Sequence, residues 1–147
     1  MKFLLIENDL VDLMAIRRLF QKNFLSNRLY VAESGLEALA FLREHNHQSQ
    51  AGFQEHLLIL LDIDQPLINE LELLTELQSD SNLKKLPIIG LTVFQEMKNL
   101  RDTKHLNLVG YLSKPFTFSE LSQLMKTLNQ HGVFESYPLC PTVKELD

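Results

Sequence analysis

The fold is decided by the stretch Leu57-Leu58-Ile59-Leu60-Leu61-Asp62-Ile63-Asp64-Gln65-Pro66, in which five consecutive aliphatic residues lead directly to a carboxylate. A short apolar run that ends in turn-forming residues is typical of a strand buried on both faces, as in the centre of a parallel sheet. Asp62 is then expected at the carboxyl end of that strand, where open α/β sheets bind their ligands. The simpler alternative is that Asp62 only caps the next helix.

The composition is that of one globular domain. The chain has 147 residues, of which 45% are hydrophobic, and its net charge of −5 argues against nonspecific nucleic-acid binding, which needs a basic surface. Cys140 is the only cysteine, so an intrachain disulfide is excluded. No run approaches the roughly 20 apolar residues of a membrane helix. We therefore expect a soluble cytoplasmic protein that does not bind a membrane.

Strands and helices are predicted to alternate along the whole chain. Apolar runs predict strands at 3–6, 29–32, 57–61, 88–92 and 108–112, and helical spacing of apolar residues predicts a helix after each strand, the fourth over 94–106. Asp9, Ser34 and Thr117 are the predicted N-caps of three of these helices. Five βα repeats favour a doubly wound α/β fold, with a five-stranded parallel sheet in the flavodoxin-like order 2-1-3-4-5 and helices on both faces.

Two further segments are interpreted as irregular. The second helix is predicted to end near His45, and the polar stretch 47–52 is predicted to be an exposed loop. On this interpretation His45 and His47 are solvated loop residues rather than a chelating pair. Residues 131–147, which contain Gly132, Pro138 and Pro141, are predicted to form an irregular tail.

Polar side chains interrupt the apolar pattern where four of the predicted strands end. They are Glu7 and Asn8 after the first strand, Asp62 after the third, Thr92 after the fourth and Lys114 just beyond the fifth. Because the carboxyl ends of parallel strands lie on one edge of the sheet, these groups are expected to converge. Acidic ligands suit a hard cation such as Mg²⁺, and a lysine with a hydroxyl suits a phosphoryl group. An aspartate beside bound Mg²⁺ can act as a nucleophile and form an acyl phosphate.

The order and spacing of these polar residues, and of the four motifs that contain them, resemble those of the receiver domains of bacterial two-component response regulators. The implied receiver domain occupies residues 1–130, and the tail at 131–147 contains no output domain. The first and last motifs are also similar to stand-alone receivers that serve bacteriophytochrome-type kinases. The matching motifs are Phe3-Leu4-Leu5-Ile6-Glu7-Asn8-Asp9, Leu60-Leu61-Asp62-Ile63-Asp64-Gln65-Pro66, Leu91-Thr92 and Gly110-Tyr111-Leu112-Ser113-Lys114-Pro115-Phe116.

The resemblance implies a role for each matching residue in phosphoryl chemistry. Asp62 would be the phosphoacceptor, and Lys114 would pair with the phosphoryl oxygens. Thr92 would be the switch hydroxyl that moves to bond the phosphoryl group, with Tyr111 as the aromatic switch coupled to it. The bond between Lys114 and Pro115 is expected to be cis on the same grounds.

The resemblance also implies a magnesium site, at which the chain departs from the family pattern. Glu7, Asn8, Asp62 and the main-chain carbonyl of Asp64 are the implied Mg²⁺ ligands. Asn8 replaces the usual second aspartate, so one negative charge is lost and weaker Mg²⁺ binding is expected.

Three more departures lie near the implied site. Gln65 replaces a methionine, and Val93 follows Thr92 where the family prefers a small residue, which would narrow access to Asp62. Glu70 replaces a glycine and would be strained if its φ were positive. These departures keep open a degenerate pseudo-receiver that binds proteins without phosphorylation.

The function implied is therefore that of a single-domain response regulator. It would take a phosphoryl group from a sensor histidine kinase, phytochrome-type by the narrower resemblance, or from a phosphotransfer protein, and would bind a downstream protein. A homodimer through the fourth helix, fifth strand and fifth helix is a further expectation. Beyond self-phosphorylation and autodephosphorylation no enzyme activity is expected. A phosphatase of the haloacid-dehalogenase type is disfavoured because Pro66 stands where that motif needs threonine or valine, and a flavodoxin because no phosphate-binding loop follows the first strand.

Overall fold

The described strands lie where the apolar runs predict them, and a helix follows the first, second, third and fifth strands. A computed structural model describes residues 1–49, 57–64, 68–94 and 108–132. All five strands of its sheet are parallel, in the order β2-β1-β3-β4-β5, which confirms the predicted fold class. The strands are β1 (Lys2–Ile6), β2 (Leu29–Ala32), β3 (Leu57–Asp62), β4 (Ile88–Thr92) and β5 (Gly110–Ser113). The helices are α1 (Leu10–Lys22), α2 (Gly35–Ser49), α3 (Ile68–Ser79) and α4 (Phe118–Gln130), with a 3₁₀ turn at Ser26–Arg28.

The central strand β3 carries Asp62 to the edge of the sheet. Every residue of β3 is buried, and the strand pairs with β1 on one side and with β4 on the other. Alternate residues of β1 enter two separate cores: Phe3 and Leu5 pack in the one that α1 and α4 cover, and Leu4 and Ile6 in the one that α2 and α3 cover. Since both faces of the sheet are covered, the open carboxyl edge is where polar groups can meet.

Helix caps fix the segments that follow the strands. The Asp9 side chain accepts hydrogen bonds from the backbone N–H groups of Val11 (2.9 Å) and Asp12 (3.1 Å), so α1 begins directly beyond β1. Thr117 accepts a bond from the N–H of Glu120 at 3.1 Å at the start of α4. Both N-caps confirm the prediction from sequence.

The prediction of an exposed loop over 47–52 is wrong for residues 47–49, which lie in helix α2. Helix α2 continues to Ser49, and His45 lies on it with its ring stacked on that of Phe41 at 5.7 Å between centroids. The residues that follow His45 are polar, but none of them breaks a helix, and the first glycine comes only at Gly52. Polarity alone therefore did not mark the end of this helix.

Several other sequence predictions lie outside the described residues. These are the fourth helix beyond Phe94, the tail from residue 133 with Cys140, and Gln65. Glu70 lies within α3, and the only non-glycine residue with positive φ among those described is Phe24, so the strain considered at Glu70 is not found. Among the described residues, no helix is both long and apolar enough to cross a membrane.

Helix α1 ends in a Schellman motif that has phenylalanine in the glycine position. The N–H of Leu25 donates to the Phe20 carbonyl at 2.8 Å, and the N–H of Phe24 donates to the Gln21 carbonyl at 3.2 Å. Phe24 therefore takes the left-handed conformation, with φ of 59°, while its side chain is 90% exposed. This position favours glycine because a Cβ is strained there.

We expect Phe24→Gly to stabilise the protein. Removing the Cβ relieves about 1–2 kcal/mol of strain in the left-handed backbone conformation. Glycine also has more conformational freedom in the unfolded chain, which costs about 0.5–1 kcal/mol on folding. The free energy of unfolding should therefore rise by roughly 0.5–1 kcal/mol. Urea unfolding measures it. Phe24→Ala is the matched control, since it removes the exposed ring but keeps the Cβ. A gain in the alanine variant equal to that in the glycine variant would contradict this explanation.

Candidate functional site

Four carboxylates surround one ammonium group at the carboxyl edge of the sheet. The Nζ of Lys114, just beyond β5, lies 3.0 Å from an oxygen of Asp12 and 3.1 Å from Oδ1 of Asp62. It also lies 3.6 Å from Oε2 of Glu7 and 3.7 Å from Oδ2 of Asp64. The cluster thus joins the ends of β1 and β3, the first turn of α1 and the loop that follows β5.

The cluster is shielded from solvent and carries excess negative charge. Glu7 and Asp62 are buried, at 1% and 2% exposure, and the Lys114 side chain is 7% exposed. Burial raises the pKa of Glu7 to about 8, and the neighbouring Asp62 carboxylate raises it as well. Glu7 therefore holds its proton more tightly than an exposed glutamate does.

The lysine is held in its charged form by the same groups. Burial lowers the pKa of Lys114, but the hydrogen bonds with Asp12 and Asp62 and the charge of Glu7 raise it by more, so the net shift is upward. An ammonium that keeps its charge at this depth can also neutralise an incoming phosphoryl oxygen.

The donor set of the cluster fits a hard cation. Oxygens of Glu7, Asp12 and Asp62 all lie within 4.8 Å of one another. Glu7 Oε1 accepts a bond from the N–H of Asp9 at 3.1 Å, whereas its buried Oε2 has no hydrogen-bond partner among the described residues. A buried carboxylate oxygen without a partner is costly unless a proton or a cation satisfies it, and carboxylate oxygens are the ligands that Mg²⁺ prefers.

Asp12 is the site residue that sequence reasoning missed. The sequence indicated only that it is an acidic residue in the first turn of α1. The signal that could have identified it is its position three residues after the Asp9 cap, which places it on the turn of helix nearest the strand ends. Asn8, the ligand implied by resemblance, is exposed, and its role in binding metal stays a prediction.

The side chain of Asp64 was also missed, because the resemblance implied only its main-chain carbonyl. The Thr92 hydroxyl donates a hydrogen bond to Asp64 Oδ1, and the N–H of Val93 donates to Oδ2 at 2.9 Å. The N–H of Asp64 in turn donates to Asp62 Oδ1 at 3.0 Å. Thr92 is buried as the site requires, but its hydroxyl is bonded to Asp64.

The remaining predicted residues lie beside the cluster. Tyr111 is half-buried and packs over Gly90, where its Cδ1 is 3.3 Å from the position a Cβ would take. The peptide bond between Lys114 and Pro115 is cis, as the resemblance implied. Val93 is 56% exposed, and whether it restricts access to Asp62 stays a prediction.

Two groups of the site hold one oxygen of the Asp62 carboxylate. Among the described residues, the contacts to this carboxylate from Lys114 Nζ and from the N–H of Asp64 both go to Oδ1. A fixed carboxylate with an adjacent ammonium and a candidate cation site has the parts that aspartyl phosphorylation needs.

Comparison with known proteins identifies the family. The protein-family model of the response regulator receiver domain matches residues 3–126, and the chain belongs to this family. A probable transcriptional regulator ycf29 of Pyropia yezoensis is 34% identical over 139 residues, which are 94% of this chain and 57% of that protein. The chain thus spans little more than half the length of this relative.

Two of the similar solved structures are phytochrome response regulators. The bacteriophytochrome response regulator AtBRR is 26% identical, with a TM-score of 0.69 over 87% of this chain and 91% of its own. The phosphorylated cyanobacterial phytochrome response regulator RcpA is also 26% identical, with a TM-score of 0.58 over 93% of this chain and 94% of its own. The resemblance to receivers of this type is confirmed.

We expect the stability of the metal-free protein to fall with pH because of Glu7. Its folded pKa of about 8 exceeds the ordinary 4.5, so the folded state binds the proton more tightly and loses stability as pH rises between these values. Glu7→Gln cannot ionise. In EDTA, the free energy of urea unfolding of wild type minus that of Glu7→Gln should decrease from about pH 6 to about pH 9. A constant difference would show that the Glu7 pKa is not raised.

Proposed function

We propose that this chain is a response regulator that accepts a phosphoryl group on Asp62. The observation that carries the proposal is the buried Asp62 carboxylate, whose Oδ1 lies 3.1 Å from Nζ of Lys114. A carboxylate oxygen of Asp62 attacks the phosphorus of a phosphohistidine, a P–O bond forms, and the P–N bond breaks. The imidazole keeps the electron pair of that bond, and Asp62 becomes an acyl phosphate.

Mg²⁺ is the proposed cofactor, and it would neutralise phosphoryl charge when bound. Glu7, Asp12 and Asp62 would hold it, and Asn8 and the main-chain carbonyl of Asp64 are the further ligands implied by the family. The support from geometry is the buried Glu7 Oε2, which accepts no hydrogen bond from the described residues and lies beside two other carboxylates. Lys114 keeps its charge and pairs with the phosphoryl oxygens.

The proposed phosphodonor is a sensor histidine kinase, of the phytochrome type, or a phosphotransfer protein. Similarity to two phytochrome response regulators supports the narrower choice. Phosphorylation would shift the population of two conformations, through the Thr92 hydroxyl and Tyr111. The switched surface would be the face of β5 and α4 with the predicted helix over 94–106, used for a downstream protein or for a homodimer in the cytoplasm.

The alternative is a pseudo-receiver that binds a partner without phosphorylation. Asn8 and Val93 motivate it, whereas the helical backbone at Glu70 removes one of its grounds. Because Asp62, Thr92 and Lys114 all stand at the strand ends, we favour the phosphoacceptor. The two functions differ in whether Asp62 carries a phosphoryl group.

We expect acetyl phosphate and Mg²⁺ to add one phosphoryl group to the wild-type protein. Intact mass spectrometry measures the adduct. Asp62→Asn is the control, because an amide in the same place has no carboxylate to attack phosphorus. If wild type stays unmodified at saturating Mg²⁺, the phosphoacceptor function is wrong and the pseudo-receiver is favoured.

We expect Asp12→Asn to weaken Mg²⁺ binding by about tenfold or more, since even residues that only orient metal ligands are worth about 10–100-fold in affinity. Isothermal titration calorimetry with MgCl₂ measures the affinity. Glu44→Gln is the matched control, because it removes the same charge from an exposed position on α2. Equal affinities in the two variants would show that Asp12 contributes only net charge.

A further inference from the structure

We propose that the Asp64 side chain is a latch that holds the Thr92 hydroxyl in the unphosphorylated state and must release it before the receiver switches. This inference rests on the proposed function, and it assigns to Asp64 a positioning role that its main-chain carbonyl does not cover. Both of its carboxylate oxygens are used, one by the Thr92 hydroxyl and the other by the N–H of Val93 at 2.9 Å. The latch therefore fixes the switch hydroxyl and the first residue beyond β4 together.

The latch competes directly with a phosphoryl group on Asp62. A threonine hydroxyl has one proton, so it cannot donate to Asp64 and to a phosphoryl oxygen at once. The Thr92 oxygen is further held by the N–H of Phe94, which donates to it at 3.0 Å. Release of Thr92 thus also frees the backbone that follows β4, which is the segment a switch there has to move.

A second competition involves the lysine. Asp64 Oδ2 lies 3.7 Å from Lys114 Nζ, which also contacts Asp62 Oδ1 at 3.1 Å. A phosphoryl group on Asp62 would draw the ammonium towards itself and would repel the Asp64 carboxylate. Phosphorylation would therefore weaken the contacts of Asp64 both with Thr92 and with Lys114. The strength of the latch would set the fraction of unphosphorylated protein that already has the switched conformation.

A purely electrostatic role for Asp64 makes a different prediction. If the carboxylate acts only by repelling the phosphoryl group, its removal helps whether or not residue 92 has a hydroxyl. If it acts as a latch, its removal helps only when there is a hydroxyl to release. Asp64→Asn tests this, because the amide is nearly isosteric and uncharged and has one acceptor oxygen for two donors, the Thr92 hydroxyl and the Val93 N–H.

The experiment is a double-mutant cycle read by affinity for beryllofluoride, a phosphoryl mimic, in the presence of Mg²⁺. The four proteins are wild type, Asp64→Asn, Thr92→Val and the double variant. Loss of the charge and of one of the two acceptor oxygens weakens the latch, so the affinity of Asp64→Asn should exceed that of wild type by about tenfold. The same change in the Thr92→Val background should raise it by less than about twofold.

Amide hydrogen exchange in the ligand-free protein measures how firmly Asp64 holds the backbone after β4, without any phosphoryl chemistry. Asp64→Asn should speed exchange at the Val93 amide. The Lys114 amide, which donates to the Thr92 carbonyl at 2.9 Å, should be unchanged and serves as the internal control.

Three results would overturn the latch alone: equal tightening in both backgrounds, no tightening in either, or unaltered exchange at Val93. Absence of an Asp62-dependent adduct with acetyl phosphate in all four proteins would instead overturn the proposed function, and the latch with it.

Discussion

The contact of one ammonium group with four buried or half-buried carboxylates is the constraint on which this structure depends. Lys114 contacts side chains from α1, from β3, from the residue directly after β1 and from the loop beyond β3, so the charges fix how these segments lie relative to one another. Burial and the neighbouring Asp62 carboxylate raise the pKa of Glu7 to about 8. On the proposed function, this excess of negative charge would be offset by a divalent cation and changed by phosphorylation.

Most of the fold followed from local patterns in the sequence, because these patterns agree with the tertiary structure. The aliphatic run of β3 needs cover on both faces, and the Asp9 and Thr117 caps fix where two helices begin. The end of α2 could not be predicted in this way, since polar residues are compatible with an exposed helix as well as with a loop. His45 shows the difference, because its ring finds Phe41 one helical turn away.

Only part of the candidate site could be predicted from the sequence, and the reason is geometric. Residues at strand ends have a fixed place on one edge of a parallel sheet, so Glu7, Asp62, Thr92 and Lys114 could be expected to converge. Asp12 and the Asp64 side chain depend on the rotation of a helix and the path of a loop, which the pattern of apolar residues does not define. Reasoning from resemblance also drew attention to Asn8, whose side chain is exposed.

The ion pair between Lys114 and Asp12 joins residues 102 positions apart in the chain. Contacts of such separation form late in folding, because the chain between them must first be ordered. Until β5 docks, the carboxylates at the edge of the sheet lack their ammonium partner and are better left in water. Completion of the sheet and burial of Asp62 are therefore expected to be one cooperative event. A partly folded chain would not offer a kinase a competent aspartate, so only finished molecules would take part in signalling.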